Sequence, residues 1–190
     1  MRDTKTRRLA MDAMLSAMYV ALSFVSVNLP NMKITLDSLP ILVGAALFGP
    51  IDGMAVGLLG SFINQMLTYG FTVTTPLWII PAGVRGLLVG AFAKRHGFDM
   101  NVKQTEFITV ASALVVTALN TAVMYVDSKI FGYYSKAYVF GAMISRILAG
   151  IITAVAFAVI LPALVKMLRD TLHFSGREMK KTAAKKEVEK

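Results

Sequence analysis

Two arginines stand inside otherwise apolar stretches of the chain. Arg85 lies eight residues into the stretch 77–93, and Arg146 lies seven residues into 139–168. At a helical rise of ~1.5 Å per residue, these positions are roughly 12 Å and 10 Å from the starts of their stretches. Asn120 is about six residues from the end of 107–126, again roughly 9 Å in. Asn64 and Gln65 fall near the end of 51–67. A charge inside a bilayer is costly and faces a cavity or a partner. The planar guanidinium fork can hold a carboxylate or phosphate at two points. The connecting segments next to this level supply Asn31, Lys33, Tyr69, Phe71, Thr72, Thr74, Thr75 and Trp78, and Tyr125 stands at the end of 107–126. The expectation is a pocket for a small anionic molecule with a flat ring. Its candidate ligand-binding residues are Lys33, Asn64, Tyr69, Thr74, Trp78, Arg85, Asn120, Tyr125 and Arg146. No Asp or Glu is expected at that depth, the nearest being Asp127. The competing structural reading has Arg85 capping carbonyls or reaching for headgroups and Arg146 paired with Asp127. In that reading Asn64, Asn120 and Tyr125 join helices by hydrogen bonds.

The elements that must position these groups follow from composition. The chain has 190 residues, 56% of them hydrophobic and only 16% charged, with a net charge of +9 and no cysteine. A soluble domain has about 25% charged residues, so a membrane protein is expected and a nucleic-acid-binding domain is excluded. The missing cysteines exclude disulfides, thiolate metal sites and a thiol nucleophile. Apolar stretches predict six transmembrane helices, at about 9–27, 35–48, 51–67, 77–93, 107–126 and 139–168, in one all-α membrane domain. A basic tail over 170–190 follows. The second stretch is short, and a re-entrant element is its alternative. Six spans use roughly 120 residues at about 20 per crossing. Six spans also put both termini on one face. Fifteen Lys and Arg residues then fall on that face, three (Lys33, Lys129 and Lys136) on the other, and two within spans. The excess of positive charge in cytoplasmic loops places both termini in the cytoplasm. Tyr69, Phe71, Trp78, Tyr125, Tyr133, Tyr134 and Tyr138 gather at the external ends, where amphipathic rings prefer to lie.

Small residues recur along three spans. Ala13, Ala17 and Ala21 mark the first, Gly49, Gly53 and Gly57 the third, and Gly83, Gly86 and Gly90 the fourth. Such stripes let helix backbones approach closely. The alanine stripe can serve internal packing or a partner subunit. The chain has no G-x-x-x-x-G-K-[ST] phosphate loop, so it carries no ATP-hydrolysing site of that kind. His96 and His173 have no companion ligands, and no metal or cofactor is expected. No paired carboxylates are expected to face each other within the spans, so general acid–base chemistry lacks candidates. These readings point away from an enzyme.

The run Ser38-Leu39-Pro40-Ile41-Leu42-Val43-Gly44-Ala45-Ala46-Leu47-Phe48-Gly49-Pro50-Ile51-Asp52-Gly53 resembles a signature of the S components of energy-coupling factor (ECF) vitamin transporters. The stripe Ala13/Ala17/Ala21 resembles their first-helix motif for docking on the transmembrane T subunit. The resemblance covers nearly the whole chain. It implies a high-affinity vitamin-binding subunit that works with a T subunit and two cytoplasmic ATPases in the cell membrane. It also implies a pocket closed by the external 1–2 and 3–4 loops, and toppling in the membrane to release substrate. The segment Gln65 to Trp78, with Arg85-Gly86-Leu87, is similar to folate-type members, so folate is the favoured vitamin. Pantothenate, riboflavin, pyridoxine and a queuosine precursor stay open, because Ser61 and Asn64 stand where many relatives carry an acid. An autonomous secondary transporter is the alternative outside the family. It would normally need an intramembrane acid for a coupling ion. A ligand-free assembly factor is a further one.

Overall fold

The computed structural model describes residues 2–29, 32–141 and 143–171, apart from the side chains of 2–5, 26–34, 143–145 and 169–171. The described chain is helical except for one hairpin: α1 (Arg2–Phe24), β1 (Ser26–Leu29), β2 (Met32–Thr35), α2 (Ser38–Phe48), α3 (Pro50–Tyr69), α4 (Thr75–Arg95), α5 (Val102–Ile130), α6 (Lys136–Phe140) and α7 (Met143–Thr171). The strands pair antiparallel, with Ser26 opposite Thr35 and Asn28 opposite Lys33. The tail 172–190, and with it Arg177, Lys180 and the later lysines, lies outside the described residues.

The helices differ from the apolar stretches mainly at their ends, because caps rather than hydropathy set helix limits. Gln104 Oε1 accepts a hydrogen bond from the Asn101 N–H at 3.0 Å. That contact starts α5 at Val102 within the polar segment. The stretch 139–168 divides into the five-residue α6, capped by Ser135 Oγ on the Tyr138 N–H at 3.0 Å, and the long α7. The two strands of the hairpin lie where the first two stretches meet. Three helical segments are long and apolar enough to cross a membrane: Thr75–Arg95, Val102–Ile130 and Arg146–Leu168. The chain is therefore a membrane protein of at least these three candidate crossings. Helix α2 is apolar but only 11 residues long. Arg7 and Arg8 lower the hydropathy of α1, and Asp52, Asn64 and Gln65 lower that of α3.

Helix α2 is the centre of the bundle. Every residue from Pro40 to Phe48 is buried, as expected of a helix that is apolar all round. Leu42, Val43, Leu47 and Phe48 pack with Val89 of α4, Ile108 of α5, and Phe157 and Leu161 of α7. The chain then turns at Gly49, whose φ of +106° few side chains tolerate, and Pro50 opens α3.

Helix α3 lies unusually close to α4. A Cβ on Gly53 would sit 2.9 Å from the Gly86 carbonyl oxygen, and one on Gly90 would sit 2.5 Å from Pro50 Cα. A Cβ on Gly57 would collide with the Ala82 carbonyl, and one on Gly86 with the Gly53 carbonyl. The two glycine stripes thus pack inside the protein, backbone against backbone.

Helix α1 buries a polar stripe and exposes an apolar one. Asp12, Ser16, Tyr19 and Ser23 are buried, at the spacing of one helical face. Tyr19 lies on Gly60, where a Cβ would come 2.7 Å from its ring. Ser23 Oγ donates to Asn64 Oδ1 at 2.8 Å, and Thr68 Oγ1 donates to the same oxygen at 3.3 Å. Arg8 donates to the Phe48 carbonyl at 2.8 Å and pairs with Asp52. Asp12 hydrogen-bonds Asp52 in turn. Two carboxyl groups therefore do meet between helices, contrary to the sequence-based expectation. They come from α1 and α3, so no spacing within one segment reveals them, and the arginine beside them offsets their repulsion. Ala13, Ala17 and Ala21 are exposed, together with Leu9, Met14 and Met18.

The α3–α4 approach can be tested directly. Gly86→Ala would force the helices apart and is expected to cost about 1–3 kcal/mol, the range for overpacking. This would appear as a lowered midpoint of thermal unfolding in detergent. Ala91→Leu, on the exposed side of the same helix, is expected to leave the midpoint unchanged. A wild-type midpoint for Gly86→Ala would contradict the close approach.

Candidate functional site

A cavity of about 240 Å³ opens between the helices. Helix α4 supplies its central wall. Trp78, Pro81, Ala82 and Arg85 recur at helical spacing and form one stripe facing it. Pro81 lacks an N–H and so removes one rung of the helix ladder at this wall. Gly83 and Gly86 flank Arg85, so the neighbouring turns of α4 press on α3 while the arginine side chain enters the gap. Arg85 is 6% exposed, and its Nε has no hydrogen-bond partner.

Asp37 shares the cavity with Arg85, which corrects the expectation that no acid reaches this depth. Its depth follows from the shortness of α2. Eleven residues rise only about 16 Å, roughly half of a hydrocarbon core of about 30 Å. The start of α2 therefore lies deep in the bundle, level with the middle of α4. Asp37 occupies the N-cap position of α2, yet its side chain makes no capping hydrogen bond. It accepts from Ser38 Oγ at 3.2 Å. It also lies within electrostatic reach of Arg85.

The remaining polar wall consists mostly of acceptors. Thr117 and Thr153 line the cavity from α5 and α7, and each donates its hydroxyl hydrogen to its own helix. Thr117 Oγ1 bonds the Ala113 carbonyl at 2.9 Å, and Thr153 Oγ1 bonds the Ala149 carbonyl at 2.7 Å. Their free lone pairs can only accept. Asn120 joins them with a donor and an acceptor. Tyr19 and Ser61, hydrogen-bonded to each other, close the α1–α3 side.

Of the residues singled out from sequence, Trp78, Arg85 and Asn120 line the cavity. Arg146 does not. It is half-buried, on the stripe of α7 that carries Gly150 and Thr153, one turn nearer the helix start. Nor does it pair with Asp127. That carboxylate accepts from Trp78 Nε1 at 3.3 Å and from the Tyr133 hydroxyl, and it bonds Thr74 as well. The bond to Asp127 pushes the Tyr133 hydroxyl up to about 12, so it stays a donor at neutral pH. Thr74 is buried in this support behind Trp78. Asn64 braces α1 against α3 outside the cavity wall. Tyr69 is exposed, and Tyr125 packs edge-on against Tyr134 with Lys129 over both rings. The side chain of Lys33 lies outside the described residues.

Tyr19, Asp37, Ser61, Thr117 and Thr153, which also line the cavity, were not among the candidate ligand-binding residues. For Tyr19 a signal existed, in the polar period Asp12, Ser16, Tyr19, Ser23 along an apolar helix.

Comparison with known proteins bears on the family and the fold. The chain is 36% identical over 80 residues to a UPF0397 protein of Leuconostoc citreum, spanning 41% of each chain. It is 26% identical over 158 residues to a UPF0397 protein of Lactobacillus johnsonii, covering 75% of this chain and 84% of that one. The fold matches a solved structure described as the S component of a bacterial ECF transporter. That match has a TM-score of 0.59 and 19% identity, over 88% of this chain and 98% of the other. The profile of the family described as ECF-type riboflavin transporter, S component, matches residues 3–170. A match over that length shows that the chain belongs to the ECF transporter S component family described under that heading.

Proposed function

We propose that this chain is the high-affinity substrate-binding subunit of an ECF-type importer and that its substrate is riboflavin. The observation that carries the reading is the polar inventory of the cavity: one buried guanidinium, one carboxylate and a wall of acceptor oxygens. A neutral molecule with a flat ring and a hydroxyl-rich chain suits this inventory. Its hydroxyls can donate to Thr117, Thr153 and Asn120, and its ring system can lie along the stripe Trp78–Arg85. The family description supports the same substrate class.

Folate, which the sequence resemblance favours, is the second reading. It draws on Arg146, one helical turn from Gly150 on the cavity wall. A longer ligand with two carboxylates would have to reach that arginine, and within the cavity it would meet Asp37. The acid makes a dianion the poorer fit.

The bilayer arrangement belongs to the same proposal. Helices α1, α2, α3, α4, α5 and α7 form six spans in the cell membrane, with both termini in the cytoplasm. The uneven distribution of basic residues between the two faces supports this orientation. The partners are a T subunit and two cytoplasmic ATPases, which supply the energy this chain has no phosphate loop to provide. The exposed stripe Ala13/Ala17/Ala21 is the proposed docking face on the T subunit, since small residues admit a second helix closely.

Two outcomes are expected. The purified chain alone should bind riboflavin at a 1:1 ratio, read as quenching of flavin fluorescence and a change in the emission of its single tryptophan, Trp78. Folic acid binding without riboflavin binding would reverse the order of the two readings. Ala17→Trp should abolish riboflavin uptake by cells carrying the complete transporter while leaving binding to the purified chain within about twofold. Loss of binding in that variant would show that the stripe packs internally.

A further inference from the structure

The buried Arg85 and the acid that shares its cavity leave a gap between them. The ion pair within 4 Å that the described residues do form, Arg8 with Asp52, lies elsewhere, and Arg85 Nε has no partner. Asp37 holds the N-cap position of α2 without capping it. A carboxylate there would ordinarily turn onto the first N–H groups of its helix. Instead the cavity keeps a buried donor, Arg85, whose Nε has no partner, and a half-buried acceptor, Asp37, which accepts from Ser38 and faces the same space. Leaving the buried guanidinium nitrogen unsatisfied is costly, and an occupant of the gap that bonds it meets the Asp37 carboxylate beside it. Such an occupant would present an acceptor to Arg85 and an adjacent donor to Asp37.

We propose that Arg85 and Asp37 together read the lactam or imide edge of the substrate's ring. Arg85 donates to a ring carbonyl, and Asp37 accepts the neighbouring ring N–H. The inference rests on the riboflavin reading, since it takes the ring to be an isoalloxazine, whose N3–H lies between two carbonyls. It adds to that reading the orientation of the ring. The imide edge points toward the start of α2, and the hydroxylated chain points toward Thr117 and Asn120. It also makes Asp37 a specificity-determining residue. A ring whose nitrogen carries a methyl group would leave Asp37 facing carbon, whereas a ring with the free N–H is held at both ends. Ser38, whose hydroxyl donates to Asp37 Oδ1 at 3.2 Å, fixes the carboxylate in this orientation.

The test compares lumiflavin, which keeps N3–H, with 3-methyllumiflavin, which does not. Both are titrated onto the purified chain by flavin fluorescence. Wild type should bind the methylated ring about tenfold or more weakly, the size of one hydrogen bond to a charged group. Asp37→Ala should weaken lumiflavin binding by a similar factor and reduce the methylation penalty to less than about twofold. Equal affinity of wild type for the two rings would overturn the proposal, with or without a folded variant. An undiminished methylation penalty in Asp37→Ala would overturn the assignment to Asp37. If folded wild type, with a normal thermal unfolding transition, bound neither riboflavin nor lumiflavin, the riboflavin reading would fall, and this inference with it.

Discussion

The packing of α3 on α4 is the constraint on which the site depends. Gly53 and Gly57 on one helix, and Gly86 and Gly90 on the other, bring the two backbones into contact. Without side chains at these positions there is nothing between the helices to hold them apart, and dispersion between backbones becomes the adhesive. Arg85 stands directly before Gly86. The contact therefore fixes the height and the direction of the one guanidinium in the cavity wall. It also frees the opposite faces of both helices for their other neighbours: α1 against α3, and α2 and α5 against α4. A bundle in which α3 and α4 stood a side chain apart would lose this placement.

The second constraint is the length of α2. Its eleven residues are buried on every side and rise only about 16 Å. The chain before it must fold back inward as the hairpin and the turn at Asp37. The start of this short helix thus becomes the floor from which an acid is offered to the cavity. The polar groups of the molecule are then divided by neighbourhood. Arg8, Asp12 and Asp52 are held together where α1 meets α3. Asp127 is taken up by Trp78, Thr74 and Tyr133. Arg85 and Asp37 are the charged residues of the cavity wall, and the fold gives them no direct bond to each other.

Much of the helical order was legible in the sequence, since apolar runs and Gly-Pro breaks follow directly from what a helix in lipid requires. The helix limits were less so. Capping by Gln104 and Ser135 depends on a few hydrogen bonds that hydropathy does not register. Arg85, Trp78 and Asn120 could be singled out because a polar group inside an apolar run is conspicuous. Asp37 could not, because it sits at the polar start of the second stretch, and its depth is decided by how long α2 is. Arg146 shows the converse. It has the same depth as Arg85 when counted along the chain, but α7 turns it one step beyond the cavity rim. Tyr19 was readable in principle from the polar period of α1. The Asp12–Asp52 meeting was not, since only the packing of two helices creates it.

In the proposed function, the cavity beside Arg85 holds the substrate and Arg146 does not take part. The most direct measurement is riboflavin affinity for Arg85→Ala and Arg146→Ala, each purified and shown to be folded by its thermal transition. Arg85→Ala should lose about tenfold or more in affinity, the scale of one charge-assisted hydrogen bond, and Arg146→Ala should bind as wild type does. Wild-type affinity in Arg85→Ala, or an equal loss in Arg146→Ala, would contradict this account of the site.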